Sequence, residues 1–165
     1  MKISRKRRLL IAIFLVYLGI VAALTVIPTH ALRVRRIRSD HVNIIPLSYS
    51  FRCFLQDPNQ HPRIVLFCLR NTIGNLLLFI PLGILLPLVS DRFRSLARML
   101  PAALCLSVTI ETIQFLSQFV GSPRSVDIDD VLLNTLGACL GFLIYRFSRN
   151  QSRQTNPQIS PVTRI

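Results

Sequence analysis

The sequence predicts an all-α, polytopic membrane protein, a small bundle of four transmembrane helices. Three observations carry that prediction. Four apolar blocks follow one another along the 165 residues, each near the ~20 residues a helix needs to cross ~30 Å of hydrocarbon. Only 16% of the residues are charged, against about 25% in a soluble domain. The basic residues flank the blocks and stay out of their cores, as the positive-inside rule and anionic headgroups require.

The helices are expected at about residues 9–27, 72–90, 99–120 and 128–147, forming one domain over 1–147 without repeats. Block one, Leu9 to Ile27, is uncharged and follows Lys2, Arg5, Lys6, Arg7 and Arg8. Its 19 residues exceed the ~7–15 of a signal-peptide core. It therefore reads as an uncleaved helix, despite the small-residue pattern Thr29-His30-Ala31. A loop from Pro28 to Asn71 follows, with Arg33, Arg35, Arg36, Arg38, Arg52, Arg63 and Arg70. Phe51, Phe54 and Leu55 would dip into the headgroups there.

Block two, Thr72 to Ser90, contains Pro81 and Pro87. Both should kink the helix, with a packing adjustment at Pro81-Leu82-Gly83 favoured over a widened cleft. Block three, Met99 to Val120, has Glu111 as its only charge and Gln114 one turn on. Block four opens at Asp127, Asp129 and Asp130 and runs to Phe147. The segment 148–165 is rich in Ser, Gln, Asn and Pro and is expected to be a disordered cytoplasmic tail.

Charge sets the orientation and narrows the partners. The net charge of +13 invites a nucleic-acid reading, but only two of the twenty basic residues are lysine and all twenty lie outside the cores of the blocks. The partner implied is the lipid bilayer, with no nucleic acid. Basic residues before block one, at Arg92, Arg94 and Arg98, and at Arg146, Arg149 and Arg153 place both termini in the cytoplasm. The arginine-rich first loop is the counter-indication, although longer loops obey the rule less strictly. Cys53, Cys68, Cys105 and Cys139 show no metal-ligand spacing. Cys53 and Cys68 would lie outside, where a disulfide is chemically allowed but not required by the sequence.

Polar residues in lipid-facing blocks demand a reason, because an ionised group there costs roughly 2.5–3.5 kcal/mol on insertion scales. At ~100° per residue, Asp127, Asp130, Asn134, Gly137 and Gly141 share one face of helix four. Gly137-Ala-Cys-Leu-Gly141 is a GxxxG, which lets another helix approach closely, including one from a second copy in a homo-oligomer. Asp129 points elsewhere, to a cap or to water. Ser107, Glu111, Gln114 and Gln118 share a face of helix three, and Asn71, Gly74 and Asn75 a side of helix two. In the expected topology all lie in the outer half of the bilayer. Gln114 and Asn134 would sit at similar depth, Glu111 at the floor and Arg124 at the rim. The geometry thus predicts a polar cleft open to the outer face. The bland alternative is a structural network in which Arg124 pairs an aspartate and the amides join helices.

Four ordered motifs carry a resemblance. They are Asn43-Ile-Ile-Pro46, Asn75-Leu-Leu-Leu-Phe-Ile-Pro-Leu-Gly83, Glu111-Thr-Ile-Gln114, and Arg124-Ser-Val-Asp127-Ile-Asp-Asp130-Val-Leu-Leu-Asn134-Thr-Leu-Gly137. With these the chain resembles the VanZ-like family of bacterial membrane proteins, whose namesake lowers susceptibility to the glycopeptide teicoplanin. The resemblance implies a protein of the bacterial cytoplasmic (plasma) membrane. It points to Glu111, Gln114, Arg124, Asp127, Asp130 and Asn134, the residues of the geometric cleft.

The favoured reading is an envelope protein whose cleft binds a lipid or cell-wall precursor group and so affects teicoplanin susceptibility. Arg124 would hold a phosphate or carboxylate, and Asn75, Gln114 and Asn134 a polar headgroup. The first alternative is a membrane enzyme acting on a lipid-linked substrate. Its catalytic residues are unassigned, with Glu111 the candidate proton acceptor. Asp127 and Asp130 would be candidate Mg²⁺ ligands, the one cofactor that reading requires. The second alternative is a small proton-coupled transporter centred on Glu111.

Overall fold

The computed structural model describes residues 4–26, 42–43, 45–46, 51, 55, 61–117 and 126–154. Its elements run α1 (Arg5–Val26), β1 (Val42–Asn43), α2 (Pro62–Val89), a 3₁₀ turn (Asp91–Phe93), α3 (Leu96–Ser117), β2 (Val126–Asp127) and α4 (Ile128–Gln154). All four α-helices are long and apolar enough to cross a membrane. Their outer surfaces are apolar: Leu15, Leu77, Leu116, Leu143 and Ile144 are all exposed, as lipid-facing residues must be.

The helix boundaries shift from those expected, by one to four residues in α1 (Arg5–Val26) and α3 (Leu96–Ser117) and by more at two places. α2 begins at Pro62 and spans 28 residues, ten residues earlier than the apolar block. Proline suits the first helical turn, where its missing N–H has no intrahelical acceptor. Arg63 and Arg70 lie on this helix because a helix need not stop where the lipid does. At 1.5 Å per residue it is about 42 Å long, more than the ~30 Å of hydrocarbon, so it tilts or projects. α4 continues to Gln154, which corrects the expected tail over 148–154. Arg149 Nη1 donates to the Tyr145 hydroxyl one turn back at 2.9 Å, helping the helix past its apolar section. Residues 155–165 lie outside the described residues.

α2 and α4 form the central pair, α3 packs mainly on α4, and α1 lies across α2 and α3. Glycine sets the central contact. A Cβ added to Gly137 would strike the Leu76 carbonyl oxygen, and one added to Gly141 would strike that of Ile80. Gly83 answers from the other side, facing the backbone of Ala138 and Phe142. The GxxxG face is thus occupied by α2 of the same chain, with no room at these glycines for a helix of a second copy. Pro81-Leu82-Gly83 likewise serves close packing. Gly74, by contrast, is exposed with nothing near its Cβ position.

Beside this pair, Phe79, Leu82, Met99, Ala103, Ile110, Ala138, Phe142 and Tyr145 form the apolar core, which Val21 of α1 joins. α1 is more loosely held. Its Tyr17 hydroxyl donates to the Leu78 carbonyl at 2.8 Å, and Phe14 and Tyr17 lean on the core.

One feature of the first loop is placed. β1 pairs in parallel with β2, Val42 opposite Val126 and Asn43 opposite Asp127. β2 also lies against α3. The motif starting at Asn43 is therefore brought back to the start of α4. Phe51 and Leu55, expected to dip into headgroups, are exposed. Phe54 lies outside the described residues.

Candidate functional site

The end of the bundle where α2 starts, α3 finishes and α4 starts carries the polar residues, and the structure joins most of them. α4 starts at Ile128 directly after Asp127, so Asp127 is the N-cap. Its Oδ1 accepts from the Asp129 backbone N–H at 3.0 Å, satisfying one of the donors that a helix start leaves open. Asp127 is only 6% exposed and Asp129 only 1%. The expectation that Asp129 faces a cap position or water is corrected: it is the most buried acid of the cluster. A helical-wheel reading failed there because the residue belongs to the turn entering α4, where the chain is only beginning to follow helical geometry.

Asp130 faces α2. Asn71 Nδ2 donates to its Oδ1 at 2.9 Å, and Asn75, one turn further along α2, approaches the same carboxylate. Among the described residues the buried Asn75 Nδ2 atom has no hydrogen bond of good geometry, so its interaction with Asp130 is a weak one. Deeper in the bundle, Asn134 Nδ2 donates to Ser107 Oγ at 2.9 Å, linking α4 to α3. Among the described residues, none donates a hydrogen bond to the buried Asn134 Oδ1. Glu111 is buried and engaged. α3 and α4 run antiparallel, so one turn outward from the Ser107–Asn134 link brings Glu111 level with Asp130.

Two expected depths are therefore corrected. The floor of the polar group is the Ser107–Asn134 link, not Glu111. Gln114 does not stand level with Asn134 but two turns further out, where its Nε2 donates to the Thr25 carbonyl of α1 at 3.1 Å. That carbonyl is among the last four of α1, which lack intrahelical partners. The expectation assumed that α3 and α4 end at one boundary. In the structure the chain passes through extended β2, against α3, before α4 begins. This recesses the acids relative to the end of α3. β1 satisfies part of the backbone that β2 exposes, as non-helical chain inside a membrane protein needs.

Asn71, Ser107, Asp129 and the Thr25 carbonyl join the group although the sequence motifs did not single them out. For Asn71 and Ser107 the signal was available in their shared helix faces. Arg124 and Gln118 lie outside the described residues, as does the mouth of the expected cleft. Among the described residues, no three His, Cys, Asp or Glu side chains are placed to hold a metal ion. Asp127 and Asp130 are adjacent to one another, but Asp127 is committed to the helix cap.

The order of these motifs along the chain is itself diagnostic. The family model VanZ/LLP1 matches residues 14–149, covering every element described except the ends of α1 and α4. The chain belongs to the VanZ/LLP1 family. Protein VanZ of Enterococcus faecium is 37% identical over 85 residues, 52% of this chain and 50% of the relative. The chain thus spans about half the length of the curated relative it matches. No solved structure matches.

Cys68, in the second turn of α2, is buried and disulfide-bonded, while Cys105 and Cys139 are free. Cys53 lies outside the described residues. The disulfide stands at the same end of the bundle as the acids, since Asn71 is three residues on.

Proposed function

We propose that this VanZ/LLP1 family protein binds a polar group of a lipid or cell-wall precursor at the acid-and-amide site, and thereby affects teicoplanin susceptibility. One observation carries the reading. The site holds buried hydrogen-bonding capacity that the described residues leave unused at Asn134 Oδ1 and engage only weakly at Asn75 Nδ2. An unsatisfied buried polar atom costs about 1–3 kcal/mol. Internal bonding in membranes averages only ~0.6 kcal/mol per contact, a weak return for so many polar groups. A headgroup offering both an acceptor and a donor would use both atoms. Glu111, Asp130 and, at the rim, Arg124 would complete the recognition.

The site opens to the outer face in this reading. The disulfide at Cys68 supports that orientation, because disulfides persist on the oxidising side of a membrane. It agrees with the basic N-terminus, second loop and C-terminal segment. A C-terminal fluorescent-protein fusion should fluoresce, and a C-terminal alkaline phosphatase fusion should be inactive. The reverse pattern would put the site on the cytoplasmic side.

The functional test is teicoplanin susceptibility in a Gram-positive host expressing the wild type, Glu111→Ala, Asp127→Asn, Asp127→Ala or Asp130→Ala at matched abundance. Protection should fall to the level of the empty host in Glu111→Ala and Asp130→Ala. Asp127→Asn keeps the cap oxygen and removes the charge. Asp127→Ala removes both and should additionally cost about 1 kcal/mol of stability. Equal protection by the wild type and all well-folded variants would reduce the acids to structural glue.

The Mg²⁺-dependent enzyme remains the second reading, favoured only by the proximity of Asp127 and Asp130. Activity on a lipid-linked substrate that EDTA abolishes and Mg²⁺ restores would replace the binding reading. A response to the proton gradient would favour the transporter.

A further inference from the structure

At the other end of the bundle, about 20 Å along α4 from the acids, the described residues frame a second polar space. It is a cavity of about 420 Å³ between the start of α3 and the last section of α4. Arg94, Arg146 and Arg149 line it, with Ser95, Tyr145 and Phe142. Among the described residues, no acidic side chain lines it. Arg94 is held by an ion pair with Asp91, and Arg149 is oriented by its bond to the Tyr145 hydroxyl. Among the described residues Arg146 and Arg149 have no ion pair. Phe142 and Tyr145 belong to the buried core, and the three arginines make the rest of the lining cationic.

We propose that this cavity holds the phosphate of an anionic phospholipid on the cytoplasmic face. Several features converge on that ligand. Guanidinium groups recognise phosphate oxygens by paired, charge-assisted hydrogen bonds. α3 begins at Leu96, which lines the cavity together with Ser95, so the positive end of its dipole lies at the cavity wall. The 3₁₀ turn Asp91–Phe93 between α2 and α3 fixes this corner, and the Asp91–Arg94 pair holds one guanidinium in place. The space is open to its surroundings at Arg94, Arg146 and Asn150, which are exposed, so a headgroup can enter from the side. Exposed Leu143 and Phe147 on α4 supply apolar surface beside the rim for an acyl chain. A basic pocket between helices on the cytoplasmic side is what an anionic headgroup requires.

The site is independent of the acid-and-amide group, and its test does not use teicoplanin. The purified full chain would be analysed by native mass spectrometry after detergent exchange with phosphatidylglycerol, cardiolipin or phosphatidylcholine. The wild type should retain phosphatidylglycerol or cardiolipin in preference to phosphatidylcholine, and anionic lipid should raise its melting temperature. Arg146→Gln/Arg149→Gln should lower retention roughly tenfold or more. Arg63→Gln/Arg70→Gln, at the opposite end, should leave it unchanged and so controls for net charge. Equal loss in both pairs would show bulk electrostatics only and overturn the site. So would equal retention of phosphatidylcholine. If inorganic phosphate at millimolar concentration stabilises the wild type as well as the lipid does, and the Arg146/Arg149 pair abolishes that effect, the ligand is a soluble phosphate and the lipid assignment fails.

Discussion

Gly141→Leu should all but abolish folded protein. The Cβ alone would collide with the carbonyl oxygen of Ile80 and lie 3.1 Å from the Cα of Gly83. These are backbone atoms of a facing helix and cannot rotate away. Ordinary overpacking costs about 1–3 kcal/mol. Here the whole α2–α4 pair must separate, and with it the Asn71–Asp130 bond. The measurement is the monodisperse yield of a fluorescent fusion in mild detergent, expected to drop tenfold or more for Gly141→Leu, and less for Gly141→Ala. Gly74→Leu is the control: nothing lies within 4 Å of its Cβ position, and leucine is a better helix former by about 1 kcal/mol. It should fold as well as the wild type. Equal yields for Gly141→Leu and Gly74→Leu would mean that α2 and α4 do not meet at their glycines.

Asn75→Leu should separate function from stability. The side chain is half-buried and its Nδ2 makes no hydrogen bond of good geometry among the described residues. Its removal forfeits only the contact with Asp130, so stability should fall by no more than about 1 kcal/mol. The leucine fits an apolar helix without altering its length or charge. If Asn75 holds a ligand group, teicoplanin protection should nonetheless disappear at normal membrane abundance. Asn71→Leu should behave differently, because it breaks a formed hydrogen bond to a buried carboxylate and should lower both abundance and protection. Full protection by Asn75→Leu would remove Asn75 from the ligand contacts and leave Asn71 as the remaining candidate on α2. The glycine and asparagine experiments are independent, since one tests how the helices meet and the other what they hold.

Much of the fold was legible because lipid imposes a simple rule. Apolar blocks long enough to cross must be helices, and Gly137, Gly141 and Gly83 announce a close crossing even before its partner is known. The sequence could not say whether that partner was internal or a second copy, since GxxxG specifies distance of approach and not identity. Helix ends were less legible. The start of α2 lies ten residues outside its apolar block, and the end of α4 beyond Phe147, because charged helix continues freely into water or headgroups.

The site was legible as a set of faces and less so as a set of pairs. Wheel geometry put Asp130 and Asn134 on one face of α4 and Ser107 and Glu111 on one face of α3, and Asn134 and Ser107 do meet. It could not foresee that α4 starts below the end of α3, which shifts every cross-helix pairing by turns. Nor could it place Asp129, buried at a helix entrance. Gln114 illustrates the remaining ambiguity. Its helical face was right, but an amide at the edge of a face can turn to either neighbour, and it turns to the open carbonyl of α1.

The β1–β2 pairing has a consequence for biogenesis. The ribosome delivers Val42 and Asn43 long before Val126 and Asp127. At about 5–20 residues per second, the earlier segment waits several seconds, with two further helices inserted meanwhile. The entrance to α4 can form its ladder only after the third helix has crossed. A nascent chain arrested after the third helix has crossed but before Val126 and Asp127 emerge would have three spans in the bilayer and an unpaired strand beside them. Maturation of this protein should therefore register as a late, abrupt gain of protease resistance rather than a gradual one.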